Sequence, residues 1–491
     1  MKIKANNKLI RFVSILMFVI LFTFMLFPNH YATDTYNIIE LGFKEYAEKW
    51  FAPSGRTVGM LVLFIFEKTN LNCNQYIFIM KIISVIIATI TIFEFHELIS
   101  KYSNVLNENK FKRLAIFLAS LLTFLNSATY QFFYYPESAI MWLGVFFVVI
   151  ALKIILDYND KFRYLKSFIF IFLAMNCYQT VILFYIPALM IFVGLTNKST
   201  KEVVIEYIKN CFIICINLLL GYFIIERLCK CFDVIIYRNH GFVLNKDVII
   251  TNFFNLIYNF NDGIANSKLF AMNIMVISFC IMLAKDNFKI DKKKSIIILL
   301  ITIFTSFIEV LLIVSLTDFY LADRIQFTYI SLIGLNSIYL LMYTDLIDRE
   351  EFKKIINYIL AFLLVLNILN SISITIWSNI ARKRDIIIGN IIAEKIEEYE
   401  NQNEKIIRIE YCYDSDWTRV DKDIRYTWEP TQRIMGADWV VDNAIRFFSG
   451  SDFIIEKNQS NYQEIFDSCE WDEFSEEQIK FKNDTMYFCI Y

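Results

Sequence analysis

A helical, many-pass membrane domain followed by a small water-soluble domain is the fold class this sequence predicts, and three observations predict it. Apolar runs long enough to cross about 30 Å of hydrocarbon recur along residues 1–379. Hydrophobic residues make up 57% of the 491 and the mean hydropathy is +0.46, more apolar surface than a water-soluble fold can hide. Phe occurs 48 times against 12 Gly and 5 Pro, so few turns are available to break those runs into strands. In hydrocarbon every backbone amide must be satisfied internally, which leaves helices as the reading of such runs.

The runs fall near 12 to 27, 77 to 97, 114 to 130, 138 to 156, 165 to 176, 178 to 195, 211 to 226, 269 to 284, 295 to 316, 326 to 343 and 355 to 377, about 11 transmembrane helices. The first follows Lys2, Lys4, Lys8 and Arg11 like a secretory signal, but no small-x-small cleavage site closes it, so a retained first helix is expected. Residues 165–195 read either as one long helix or as two short spans split at Asn176, Cys177, Tyr178 and Gln179. The charges favour the split. With a cytoplasmic N-terminus, the inner segments hold 22 Lys or Arg in about 73 residues, against 10 in about 108 residues of outer loops. Merging the two spans would turn Lys292, Lys293 and Lys294 outward. The count then places the C-terminal domain, 380–491, outside the cell membrane, and residues 400–491 carry about 20 acids against about 10 bases, with no inward bias.

The first outer loop, 28–76, is too long for a plain connector. Ile38, Ile39, Gly42, Phe43, Tyr46, Ala47, Trp50 and Phe51 recur at helical spacing opposite Glu40, Lys44, Glu45, Glu48 and Lys49, the pattern of a helix lying in the interface. After Pro53, Ser54, Gly55 and Arg56, the apolar stretch from Thr57 to Phe66 is too short to span and is expected to lie along or dip into the same interface.

Asp34, at the entrance to the first of these helices, reads as a helix N-cap or as a general base facing the membrane surface, with Glu40 and Glu45 one and two turns on. Arg56 reads as a snorkelling anchor or partner of a loop carboxylate, or as a grip on a lipid phosphate. Arg324, beside Asp318 and Asp323, reads as a partner of those acids or in the same phosphate role. Tyr130, Gln131, Tyr134, Tyr135 and Glu137 follow the third span, and Tyr178 and Gln179 form the turn between the short spans. An aromatic belt accounts for such tyrosines, and sugar stacking is the alternative. Glu309 inside the ninth span is a functional candidate by cost alone, Lys81 and Glu94 can snorkel, and His240 belongs to a long outer loop.

The ten cysteines show no paired ligand spacing, and Cys211 and Cys215 read as small core residues; Cys412, Cys469 and Cys489 in the tail are an odd number. No glycine-rich nucleotide loop, zinc pattern or catalytic triad occurs, and nothing points to nucleic acid as a partner. In the tail, Arg382 to Tyr399 reads as an amphipathic helix, 406–413, 453–457 and 486–491 as strands, and 439–448 as helical or extended, giving a small α/β or α+β domain. Trp417, Trp428 and Trp439 suit sugar stacking or core packing equally.

Together, the N-inside first span, the acidic outer loop with Asp34, the Gly55-Arg56 pair, the Tyr178-Gln179 turn and Arg324 resemble the polytopic bacterial glycosyltransferases of GT-C architecture. The likeness is closest to the Gtr type-II glucosyltransferases that decorate O-antigen and related surface glycans. It covers most of the membrane domain through short motifs. It departs where that family has adjacent acids in the first outer loop: Asp34 is followed by Thr35, and Glu40 is the nearest second carboxylate.

The resemblance implies a sugar, glucose, carried on polyprenyl phosphate and moved to a surface polysaccharide at the outer face. It makes Asp34 the catalytic base with Glu40 beside it, gives Arg56 and Arg324 the donor phosphate, and lets Glu45, Glu137, Tyr178 and Gln179 contact substrate. It requires no nucleotide site and no bound cofactor, and leaves a divalent cation open. The competing classes are a transporter or flippase for lipid-linked glycans, with Glu309 in its pathway, and a polysaccharide polymerase or ligase. Against transport, no internal repeat is visible and intramembrane charges are few.

Overall fold

The computed structural model describes residues 2–26, 31–102, 110–194, 196, 198–234, 245–259, 293–298, 300–301, 304, 322–343, 350–403, 405–413, 433–437, 439–449, 453–458, 465–466 and 474–490. Its helices are α1 (Lys2–Thr23), α2 (Thr33–Tyr46), α3 (Thr57–Glu67), α4 (Cys73–Tyr102), α5 (Lys110–Phe124), α6 (Ser127–Tyr134), α7 (Ser138–Ile155), α8 (Arg163–Cys177), α9 (Tyr185–Gly194), α10 (Thr200–Phe232), α11 (Lys246–Asn259), α12 (Phe327–Tyr343), α13 (Glu350–Glu400) and α14 (Val441–Ser449). Four strands follow α13: β1 (Arg408–Tyr413), β2 (Ile454–Lys457), β3 (Ile479–Lys482) and β4 (Thr485–Ile490). The chain divides into two compact units, Met1–Phe27 with Lys44–Ile372, and Pro28–Phe43 with Ser373–Tyr491.

In the first unit, six helices among the described residues are long and apolar enough to cross a membrane: Lys8–Leu26, Cys73–Tyr102, Ser138–Ile155, Thr200–Phe232, Arg324–Met342 and Lys354–Glu400, the last continuing beyond this unit. A seventh is the pair α5 and α6, bent by 54°. Eleven spans are therefore not reached among the described residues. The expected span 269 to 284 and most of 295 to 316 lie outside them, and α8 and α9 are short because the chain breaks between them. The break is the one the charges favoured. Tyr178 is extended, with φ −159° and ψ 114°, and a 3-10 turn over Gln179–Phe184 leads into α9. Outward apolar side chains such as Leu219, 72% exposed, and Phe362, 62% exposed, are what a helix facing lipid leaves uncovered.

The core of this unit is an aromatic stack. Phe95 and Phe124 stand 5.1 Å apart between ring centroids, Phe124 and Phe184 5.6 Å, Phe184 and Phe327 5.2 Å, and Phe327 and Phe132 5.5 Å, so α4, α5, α6, α12 and the 3-10 turn share it. Gly334 lets α12 approach α5 closely: a Cβ there would meet the Thr123 hydroxyl and come within 2.6 Å of the Ala119 carbonyl oxygen. Asn126 makes the bend before α6. Its side chain accepts from the amides of Ala128 at 3.1 Å and Thr129 at 3.3 Å, and the Thr129 hydroxyl accepts from the Asn126 amide at 3.2 Å, a reciprocal cap that starts a new helix. Lys81 and Glu94, expected to snorkel, differ: Lys81 is 4% exposed and donates to the Leu26 carbonyl at 2.6 Å, whereas Glu94 pairs with Lys153 at 2.7 Å.

The second unit is a four-stranded sheet in the order β2-β1-β4-β3, with β1 parallel to both β2 and β4, and β3 antiparallel to β4. The small mixed sheet at the C-terminus is what the expectation of an α/β or α+β domain requires of this region. Ile388, Ile392 and Ile396 of α13 and Val441 and Ile445 of α14 pack with Ile409, Tyr411, Met486 and Phe488 of the central strands. Gly389 makes room for Phe448, whose Cβ would lie 2.6 Å from an added Cβ. Asp385 is fully buried and accepts from the Ile434 amide at 2.5 Å, while the Arg433 Nε stands 3.6 Å from its other oxygen. Tyr36 of α2 packs against Phe447 at 5.3 Å and Asn37 accepts from Asn443 at 2.7 Å, so the first part of the segment 28–76 belongs to this unit. The loop helix is not continuous: Gly42 breaks α2 with φ 75° and ψ 169°, a conformation only glycine adopts readily.

Candidate functional site

Arg56 is presented by a strained turn. After the π-helical residues Ala47–Phe51, the Gly55 amide donates to Ala52 O at 3.1 Å and the Arg56 amide to Phe51 O at 3.0 Å, with Gly55 at φ 68°. A Cβ on Gly55 would lie 2.6 Å from Ile225 Cγ1. Position 55 therefore needs glycine for both backbone sign and space. The Arg56 guanidinium, at the head of α3, donates through Nη1 to Glu137 Oε1 at 2.8 Å and stacks 5.0 Å from the Tyr178 ring centroid. Side-chain exposure is 14% for Arg56 and 3% for Glu137, so losing either partner strands a buried charge. Glu137 is set in place by the turn between α6 and α7, closed by the Ser138 amide donating to Tyr135 O at 3.1 Å.

The break after α8 supplies the next side. Tyr178 offers its ring to Arg56, and Gln179 Nε2 donates to Ser54 O, tying the break to the glycine turn. Thr57 Oγ1 donates to Asn176 Oδ1 at 2.5 Å, and Thr180 Oγ1 donates to Arg324 O at 3.4 Å. Arg324 stands in a 3-10 turn over Asp323–Gln326 that opens α12. Its amide and Nη1 both donate to Gln131 Oε1, at 3.2 and 3.3 Å, and Nη1 donates to the Tyr135 hydroxyl at 2.8 Å. The guanidinium also stacks on Tyr135, 4.3 Å from its centroid.

These contacts close on themselves. Arg56 joins Glu137, the α6 to α7 turn joins Glu137 to Tyr135 and Gln131, these hold Arg324, Arg324 joins Thr180, and Gln179 returns to Ser54 beside Gly55. Four of the residues expected to meet substrate phosphate or sugar, Arg56, Glu137, Tyr178 and Gln179, thus stand with Arg324 in one cluster in the first unit. Sequence reasoning placed Gln131 at the outer rim without a role and read Tyr135 there as an aromatic-belt or sugar-stacking residue. Their signal was their position, a turn before Glu137 at the end of an apolar run. Three buried atoms of the cluster make no hydrogen bond: Arg56 Nε, Gln131 Nε2 and Glu137 Oε2.

Glu45, in the first unit, is not part of this cluster. Asp34 and Glu40 belong to the second unit. Asp34 is the second residue of α2 rather than its cap, half-buried in the first turn, where a carboxylate meets the positive end of the helix dipole. The hydroxyl of Thr35, at the third helical position, accepts from the Ala32 amide at 3.1 Å, the half of a capping box that reaches back to the residue before the helix. Glu40 lies 3.9 Å from Arg446, and Glu45 pairs with Lys49 at 2.5 Å one turn away on an exposed face. Glu309, His240, Asp318, Trp417 and Trp428 lie outside the described residues, as does the Asp323 side chain. Cys211 and Cys215 are free thiols. Among the described residues no group of three or more His, Cys, Asp or Glu side chains is arranged to hold a metal ion.

Comparison of the chain with protein-family models gives no match, and comparison with curated proteins gives none.

Proposed function

We propose that this protein is a membrane glycosyltransferase that moves a sugar, glucose on the resemblance to the Gtr type, from polyprenyl phosphate to a surface polysaccharide at the outer face. The observation that carries the reading is the closed cluster of Arg56, Arg324, Glu137, Tyr178 and Gln179. It puts two guanidinium groups in one buried polar cluster, the chemistry that grips a phosphate and steadies it as it leaves. Aromatic faces and amides beside those arginines suit a sugar ring. A soluble anion would not call for this setting among apolar helices, whereas a phosphate on a lipid is delivered there by its own tail.

In this reading the acceptor hydroxyl oxygen attacks the anomeric carbon as the bond from that carbon to the phosphate oxygen breaks. The electron pair stays on the phosphate, which Arg56 and Arg324 hold. One displacement inverts the sugar. The hydroxyl proton passes to a carboxylate, the role assigned on sequence to Asp34 with Glu40 as the second acid. The N-terminus is cytoplasmic, the tail extracytoplasmic, and the bilayer supplies the donor.

The test is transfer by purified full-length protein in detergent, with polyprenyl phosphoglucose and a surface polysaccharide acceptor. Donor-dependent transfer is expected from wild type, and none from Asp34→Asn that inserts and folds normally. Full transfer by Asp34→Asn removes the base assignment. Movement of intact lipid-linked glycan across vesicles without transfer replaces the reading with the transporter class.

A further inference from the structure

Of the three unpaired atoms, Arg56 Nε is a donor that suits the phosphate, and the other two carry an inference about what the cluster recognises, resting on the glycosyltransferase reading. Buried polar groups are nearly always satisfied, so each exception calls for a partner that arrives with a ligand or a water. Gln131 is 1% exposed, and the direction of its amide is fixed by its neighbour. Arginine has donors only, so the atom receiving the Arg324 amide and Nη1 must be Oε1. Nε2 is then a buried NH2 donor without an acceptor. Glu137 is the reverse case. Oε1 is taken by Arg56 at 2.8 Å, and Oε2 is a buried acceptor without a donor.

A phosphate accepts and never donates at its ionised oxygens. It satisfies Gln131 Nε2 and leaves Glu137 Oε2 facing a like charge. A hydroxyl both donates and accepts. Hydroxyls of one sugar supply what each atom lacks, a donor for Glu137 Oε2 and an acceptor for Gln131 Nε2. Gln131 and Glu137 lie six positions apart at the end of α6 and the turn that follows, so one short segment presents both polarities.

We propose that Gln131 Nε2 and Glu137 Oε2 are the donor and acceptor that bind hydroxyls of the sugar, so that this site distinguishes a glycosylated lipid phosphate from the bare lipid phosphate left after transfer. Product release follows from the same chemistry. Once the sugar has gone, the departing phosphate keeps its arginines but loses the hydroxyls that Glu137 holds, and the carboxylate repels it.

Two near-isosteric variants each invert one of these atoms while keeping a bond to its arginine. Glu137→Gln retains an acceptor for Arg56 and turns the other atom into a donor. Gln131→Glu retains an acceptor for Arg324 and turns Nε2 into an acceptor. The measurement is equilibrium binding of polyprenyl phosphoglucose and of polyprenyl phosphate to full-length protein in nanodiscs, read as the ratio of the two affinities. Wild type is expected to prefer the glucosyl lipid by about tenfold or more, and each variant to lose most of that preference; Glu137→Gln also binds the bare phosphate more tightly. An unchanged ratio in both variants overturns this inference and leaves the transfer reading standing, as does equal weakening for both lipids, which a purely structural role predicts. Wild type that binds neither lipid overturns the donor reading and this inference with it.

Discussion

Arg324 shows how much a single side chain is asked to do. It is 6% exposed, and its backbone amide and side chain converge on one glutamine oxygen and one tyrosine hydroxyl. A lysine keeps the charge but has neither the planar fork nor the stacking face for Tyr135. Arg324→Lys is expected to lower transfer at least about tenfold, measured as initial rate at saturating acceptor, with the protein still monodisperse. Asp385 is the complementary case in the second unit. Burial raises its carboxyl from 3.8 to about 6, only partly offset by Arg433 and the amides of Ile434 and Met435. The folded state therefore holds this proton more tightly than the unfolded chain does, and the associated stability is present below 3.8 and lost as pH rises through about 6. Amide exchange in β1 and β4 of the full-length protein is expected to quicken across that window in wild type, and Asp385→Asn should flatten the change. Equal pH dependence in both would place the effect on other groups.

Among the elements, what could be read from sequence was what periodicity and charge mark directly. The break at Tyr178 was legible because it is polar within a long apolar run and because the loop charges demanded it. The bend at Asn126 was not read, since the run 114 to 130 continues apolar across it. The clue was Asn126 with Thr129 at the third helical position, a cap pattern hidden inside hydrophobic sequence. Asn126→Ala is expected to cost about 1 kcal/mol and, by loosening α6, to weaken the Gln131 and Tyr135 hold on Arg324. Loss of stability with unaltered transfer would separate the bend from the site. Strand β3 was missed because Ile479, Lys480, Phe481 and Lys482 are short and half charged. Its signal was Asn483-Asp484 between it and β4, a two-residue hairpin turn in which Asn483 takes φ 56°. The first cluster was legible residue by residue, through Arg56, Glu137, Tyr178, Gln179 and Arg324. That Asp34 and Glu40 fold with the tail was not, because helical spacing says that a segment has an apolar face and nothing about which partner covers it.

For the whole molecule, orientation is the property on which the proposal depends. Twenty-two Lys or Arg in the inner segments against 10 in the outer loops set a strong expectation for the direction of every loop. Protease added to intact cells is expected to cut within the tail, 380–491, and to leave the loop at Lys292, Lys293 and Lys294 intact until the membrane is opened. The reverse pattern would turn the cluster inward and end the outer-face reading. The sheet of the second unit has a consequence of another kind, for biosynthesis. β1 pairs on one side with residues 454–457 and on the other with 485–490, and β4 in turn holds β3. No ribosome-bound nascent chain halted before residue 485 can complete the middle of that sheet. Helices of the first unit can enter the bilayer one after another as they emerge. The tail instead must wait, its first strand uncovered on one edge, until translation has run through residue 490; a premature stop there removes a central strand rather than a fringe.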